Sequence, residues 1–239
     1  MKKSLLERFI SKYNLSGGTD GVTWKADKKG LSTKFISDDK HVIGTISTKN
    51  ITLDVGDYSI YDTPILRGLM SVLDDDITIT VNSPNGKATS LTLKDGTSKV
   101  VFVLADPSNI AAVPALKTLP DFENVITLDK VFVERFIKAK GALSDVETFT
   151  VLSDGKVVQV VLGYDSNNTN RITLAATAES AEKAEPIDFH ARYMKEILSA
   201  NREATSGKLE VSSQGLARIT FVIDDFDVTY YLPQVKRED

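Results

Sequence analysis

Residues equipped for covalent or metal chemistry are few in this sequence of 239 residues. It has no cysteine, which removes disulfides, thiolate zinc sites and a thiol nucleophile. Its two histidines, His41 and His190, fall at a predicted strand end and a predicted helix start, where an imidazole is more often structural than catalytic. Asp74–Asp76 has the composition of a cation site, but it follows a helical segment and precedes the strand-like "ITITV", so a solvated turn is the simpler reading. There is no phosphate-cradling glycine loop, no dinucleotide fingerprint and no nucleophile elbow. With no nucleophile, base and orienting group in view, the sequence points to a non-enzymatic protein without metal or cofactor.

The chemistry that remains is electrostatic. The chain has a net charge of −4, yet its predicted helices are cationic. Residues 1–14 include Lys3, Arg8 and Lys12, and residues 63–73 include Arg67. Residues 130–143 include Lys130, Arg135 and Lys138, and residues 188–202 include Arg192 and Lys195. Together these segments sum to +8, which leaves −12 for everything else. A charged helix face taken singly is an ordinary solvated face. Cationic faces on all four helices point to a polyanion, with duplex DNA as the foremost candidate. Lysine and arginine near phosphates release counterions, and such contacts carry no base sequence information. The acidic remainder would repel DNA from the other surfaces.

Periodicity defines the elements that must position these cations. In Ser4–Tyr13, Leu5, Leu6, Phe9, Ile10 and Tyr13 share one face, with Arg8, Ser11 and Lys12 opposite. In Thr63–Leu73, Ile65, Leu66, Leu69, Val72 and Leu73 form the apolar face, and Pro64 suits the first turn. In Lys130–Leu143, Phe132, Val133, Phe136 and Ile137 are expected to hold the helix against a sheet, with Asp129 as N-cap. In Asp188–Ala200, Phe189, Tyr193, Met194, Ile197 and Leu198 are apolar and Asp188 is the expected cap. Most other segments alternate as strands, among them "GVTWKA", "LSTKFIS", "KHVIGTIS", "ITLDV", "DITITV", "ATSLTL", "KVVFVL", "KVVQVVLGY" and "VTYYL". "SDG" and "SSQG" are hairpin turns. Many strands with a few isolated helices make an α+β fold. The segment "MKKSLLERFI" is interrupted by Glu7 and Arg8 and is not expected to act as a signal peptide, and no stretch is long enough to span a membrane.

The helices recur. "LLERFISKY" and "FVERFIKAK" share Glu-Arg-Phe-Ile, so that Glu134 matches Glu7. "LRGLMSV" from Leu66 aligns with "MKEILSA" from Met194, and "VVFVLAD" from Val100 with "VTYYLPQ" from Val228. The last two matches share one displacement along the chain, and the first differs from it by a single position. Three collinear matches describe two diverged copies of one unit, each with helix, strands, helix, strands. "PSNIAAVPALKTLPDFEN" (107–124) has three prolines and no period, as a connector would. The expected organisation is a domain over 1–106, a connector over 107–124 and a second domain over 125–239.

This pattern resembles the sliding clamps of DNA replication over essentially the whole chain. "DDKHVIGTIS" is similar to the Asp-x-x-His-Val segment of archaeal and eukaryotic clamps, and "DITITV" to their strand after the second helix. "YYLPQV" resembles their Tyr-Tyr-Leu end, while "YDTPILRGLMSVLDDD" and "ADPS" resemble the clamps of T-even-like tailed phages. The chain departs from the family in loop lengths, and its two-domain length differs from the three-domain bacterial clamps. The resemblance implies the DNA-clamp fold, with two helices packed on antiparallel sheets in each domain. It implies a homotrimeric ring closed head to tail, with helices lining the hole. Apolar edge strands would join the subunits, with "KVVQVVL" (156–162) and "ATSLTL" (88–93) as candidates. It further implies a clamp that tethers a DNA polymerase to double-stranded DNA, loaded by an ATP-dependent clamp loader. The implied location is the cytoplasm, that of a bacterial host if phage-encoded. Partner peptides would dock in an apolar pocket near His41, Val42, Leu116, Leu119, Tyr231, Leu232 and Pro233. For Leu116 and Leu119, loop packing is an equal reading. The alternatives are a strand-rich structural virion protein and a non-ring DNA-binding polymerase accessory.

Overall fold

Alternating apolar residues and glycine-centred turns organise the first half of the chain. In the computed structural model, which describes residues 1–164 and 170–236, the chain divides into two compact units. The first comprises Met1–Pro114 with Asp224–Val228, and the second Ala115–Ile223 with Thr229–Asp239. The division thus falls inside the segment read as a connector. The predicted second domain includes residues 165–169 and 237–239, which lie outside the described residues.

Unit 1 begins with helix α1 (Lys3–Asn14) and strands β1 (Val22–Asp27), β2 (Gly30–Ile36), β3 (Ile43–Thr48) and β4 (Gly56–Ile60). These pair antiparallel in the order β3-β2-β1-β4. Helix α2 (Thr63–Met70) follows, then β5 (Thr78–Asn82), β6 (Ser90–Lys94) and β7 (Lys99–Val103), which form a three-stranded antiparallel sheet. Leu6, Phe9, Ile10, Leu66 and Met70 are buried, and Phe9 sets its edge against Trp24 at 5.8 Å between ring centres. The buried Tyr13 hydroxyl shares a hydrogen bond with Thr63 Oγ1 (3.2 Å), and burial pushes its pKa up.

Unit 2 repeats this order with two additional strands, one before its first helix and one between its helices, which pair with each other beside its last three strands. It contains β8 (Asn124–Thr127), α3 (Lys130–Ala142), β9 (Thr148–Ser153), β10 (Val158–Leu162), β11 (Ile172–Ala175), β12 (Ala178–Ser180) and β13 (Ala184–His190). Helix α4 (Ala191–Ala200), β14 (Ser206–Ser212), β15 (Leu216–Ile223) and β16 (Phe226–Pro233) complete it, the first residues of β16 counting with unit 1. The sheet order β11-β10-β9-β13 reproduces β3-β2-β1-β4, and β14-β15-β16 reproduces β5-β6-β7. The register is also kept. Thr78 opposes Lys94, and their counterparts at the repeat offset, Ser206 and Val222, oppose each other. The duplication therefore holds at the level of hydrogen-bonded pairs. Phe136, Phe149 and Phe189 pack in succession through the core of unit 2, with Phe136 edge-on to Phe149 at 5.4 Å.

Several sequence expectations need correction. "ITLDV" (51–55) forms no strand; Ile51 is buried but Val55 is exposed, and the strand is the next segment, β4. Helix α2 ends at Met70, and its buried face is Thr63, Leu66 and Met70, while Ile65 and Val72 are exposed. Asp188 and Phe189 belong to β13, so α4 starts at Ala191; the buried Asp188 carboxylate accepts from Thr150 Oγ1 across the sheet instead of capping. The proposed edge segments 156–162 and 88–93 supply β10 and β6, which are central strands of their sheets. Apolar side chains in a strand record that a face is buried, not whether the strand has neighbours on both sides, which is why they misled as an edge signal. On α3, Val133 and Ile137 are only half-buried; Phe132, Phe136 and Ala139 hold the helix to its unit. Asp129 does cap α3, accepting from the Phe132 N–H at 2.7 Å.

Candidate nucleic-acid interface

The helical cations separate into two groups by what surrounds them. Helix periodicity carries Arg67 on α2, Lys130, Arg135 and Lys138 on α3, and Arg192 on α4 into solvent. On α3 this follows from spacing, since Lys130 and Lys138 stand opposite the buried stripe of Phe132, Phe136 and Ala139 and Arg135 lies at its edge. Lys3 is half-buried, and its ammonium donates to the Leu73 carbonyl. Lys195 is half-buried beside the Glu196 carboxylate at 3.6 Å.

Two cations of α1 are committed within unit 1. Lys12, placed on the solvent face by sequence reasoning, is completely buried, with its ammonium 4.9 Å from the centre of the Phe226 ring. It cannot reach a phosphate. The amphipathic pattern missed this because Phe226, which covers the polar side of α1, comes from the far end of the chain. Arg8 is half-buried over the same ring and pairs with Asp225 at 2.9 Å. Neutralised in this way, it offers less to a phosphate than the exposed cations do.

Sequence reasoning also missed a cavity in unit 2, of about 450 Å³. Val133 and Ile137 of α3, with Leu128 and Phe221, supply its apolar lining. Lys130, Lys138 and Arg202 supply positive charge around it, and Glu134 a single carboxylate. Asn201 and Ala204, from the turn after α4, complete it. The half-buried aliphatic side chains of α3 were the available signal, but periodicity assigned them to the core.

The residues expected to form a partner pocket differ in exposure. Val42 and Leu232 are completely buried in their own units and present no surface. His41 and Tyr231 are half-buried, and Pro233, Leu116 and Leu119 are exposed. The end of the predicted connector is anchored in unit 2. Phe122 lies under the Arg218 guanidinium at 4.5 Å, and Arg218 is itself held by two 2.6 Å bonds to Glu210. Glu123 accepts from the Ser213 backbone and hydroxyl. Asp74–Asp76, considered as a cation site, engages the start of α1: Asp75 accepts from the Ser4 N–H, and Asp76 pairs with Lys2 at 2.8 Å. Among the described residues no group of three or more ligating side chains is placed to hold a metal, and no helix is long and apolar enough to cross a membrane.

No protein-family model and no curated protein matches the chain. Solved structures do. The proliferating cell nuclear antigen of Entamoeba histolytica superposes with a TM-score of 0.75 at 15% identity, over 98% of this chain and 96% of that one. The A. fulgidus PCNA with the C-terminal region of FEN-1 bound gives 0.78 at 14% identity, over 100% and 98%. The PCNA2–PCNA3 complex from Sulfolobus tokodaii gives 0.72 at 12% identity, over 98% and 97%. At such identities the likeness is one of backbone, and it spans the whole chain with its repeated order of helices and strands. The chain has the DNA-clamp fold of the proliferating cell nuclear antigens.

Proposed function

We propose that the chain is a sliding clamp that encircles duplex DNA and tethers a DNA polymerase and other partners to it. The observation that carries this reading is the exposed cationic set on α2, α3 and α4 of a duplicated clamp fold whose remaining charge is acidic. Backbone-only contacts of this kind hold DNA weakly and without base preference, which suits sliding. The E. histolytica, A. fulgidus and S. tokodaii proteins support the assignment by fold. The S. tokodaii complex of two such chains favours assembly, and the FEN-1 segment on the A. fulgidus protein favours recognition of partner peptides.

In this reading three copies close head to tail into a homotrimer through free strand edges. On unit 1 the edge is β7, which lies at the side of its sheet and leaves Val101 47% and Val103 62% exposed. An apolar outer strand is an aggregation hazard unless paired, and a heterologous contact that closes at three removes it. Partner peptides engage the exposed connector leucines Leu116 and Leu119. Loading on closed DNA requires an ATP-dependent loader, and the site of action is the cell interior wherever the DNA is replicated.

Retention on DNA is the test. Chains loaded on nicked circular DNA are expected to stay bound through a high-salt wash and to run off once the circle is cut. Equal loss from circles and linear fragments would leave a non-ring DNA-binding accessory. A lack of any DNA dependence would leave a structural protein.

A further inference from the structure

The two copies of the repeat part company at the cavity on α3. In unit 1 the equivalent place is filled by the chain itself. Leu6 and Ile10, the counterparts of Val133 and Ile137 in the repeat, are completely buried, and Leu73 is 3% exposed. Leu73 opens a Leu-Asp-Asp-Asp turn that is tied onto the start of α1. The Asp75 carbonyl accepts from the Lys3 N–H at 2.6 Å, its carboxylate from the Ser4 N–H at 2.9 Å, and Asp76 pairs with Lys2 at 2.8 Å.

Unit 2 lacks this plug. Asn201 is the counterpart of Leu73, and its amide donates to the Ile197 carbonyl and to Tyr230 Oη. Arg202 replaces Asp74, and Ala204 replaces Asp76. Glu203, the counterpart of Asp75, does not line the cavity. The residue before the α3 cap, Leu128, exchanges both backbone bonds with Gly207 at the start of β14, further along than that turn. Val133 and Ile137 are therefore left half-buried beside Lys130, Lys138 and Arg202.

We infer that this cavity is a docking site for a short acidic segment of a partner protein that carries one aliphatic anchor. The site is missing an aliphatic side chain and negative charge, which are the two things the unit 1 turn supplies to its own copy. Its volume, about 450 Å³, lies in the range of sites that take small ligands or a few side chains. Three cations against one carboxylate set the complementary sign, and the aliphatic floor sets the anchor. The inference stands on unit 2 alone and does not require a ring.

The test uses the chain's own plug as the probe: a fluorescein-labelled peptide SVLDDDI, residues 71–77, titrated into the full-length protein and read by polarisation. Saturable binding is expected, weakened at least about tenfold when the peptide leucine is changed to serine. Ala204→Trp, which fills the cavity, is expected to abolish binding while its melting curve stays cooperative. Where that variant does not fold, the wild-type amide resonances of Val133, Ile137 and Ala204 must shift on titration. The inference is overturned by an absence of saturable binding, by equal binding to Ala204→Trp, or by indifference to the peptide leucine. Displacement by a short duplex with no leucine dependence would also overturn it, because the cations would then serve nucleic acid alone.

Discussion

At the scale of single residues, charge alone does not decide what a cation does. Arg135 and Lys12 both lie on basic helices, but Arg135 is exposed and Lys12 is buried against Phe226. Arg135→Ala is expected to weaken duplex DNA binding uniformly across sequences. The plot of log affinity against log salt should become shallower by about 0.9 for the one phosphate no longer neutralised. Lys12→Ala should leave that slope unchanged and lower the urea midpoint, because it removes packing and a cation–ring interaction. Asp95 provides a pH signature. Its carboxylate accepts from the backbone N–H groups of Asp74, Thr97 and Ser98, which hold its pKa down to about 2. A carboxyl depressed in the folded state stabilises fully above its ordinary value of 3.8, and that stability fades as pH falls toward about 2. The difference in melting temperature between wild type and Asp95→Asn should therefore be full at neutral pH and close across that acid window.

At the scale of elements, α3 shows how one helix serves two surfaces. Phe132, Phe136 and Ala139 fix it to its unit, Arg135 is exposed along one flank of that buried stripe, and Val133 with Ile137 lines the cavity along the other. Phe136 meets Phe149 edge-on in a closed core, so Phe136→Ala should cost about 3–5 kcal/mol in urea unfolding, the range for truncating a buried aromatic. The start of β14 is equally constrained. A Cβ on Gly207 would lie 2.6 Å from the Phe221 ring and 2.9 Å from the Thr220 carbonyl. Gly207→Ala should destabilise by about 1–3 kcal/mol, as overpacking does. Much at this scale was legible in the sequence. The helical period located the four helices, and Asp129 and Pro64 marked two of their starts. Asp188 failed as a cap because a strand, β13, runs into α4 with no intervening turn for propensity to detect.

At the scale of the whole molecule, the native mass is expected to be that of three chains. Val101→Lys with Val103→Lys on β7 should shift it to one without loss of the folded signal. A wild-type monomer at every working concentration would remove the ring. The same double variant should lose retention on circular DNA while keeping weak, salt-sensitive binding to short duplexes, because the helical cations are untouched.

The sequence by itself determined the duplication, the α+β class and the concentration of positive charge on helices. These are properties of local period and of residues compared at a fixed offset. Tertiary structure alone decided which strands are interior, which cations are free, and where the two copies differ. Those outcomes depend on neighbours outside the local pattern: Phe226 over Lys12, β9 and β11 pairing on both sides of β10, and the Leu73 turn tied to the start of α1, whose counterpart Asn201 in unit 2 bonds instead to Ile197 and Tyr230. A periodic pattern records that a face is apolar or charged, but not whether another segment arrives to cover it.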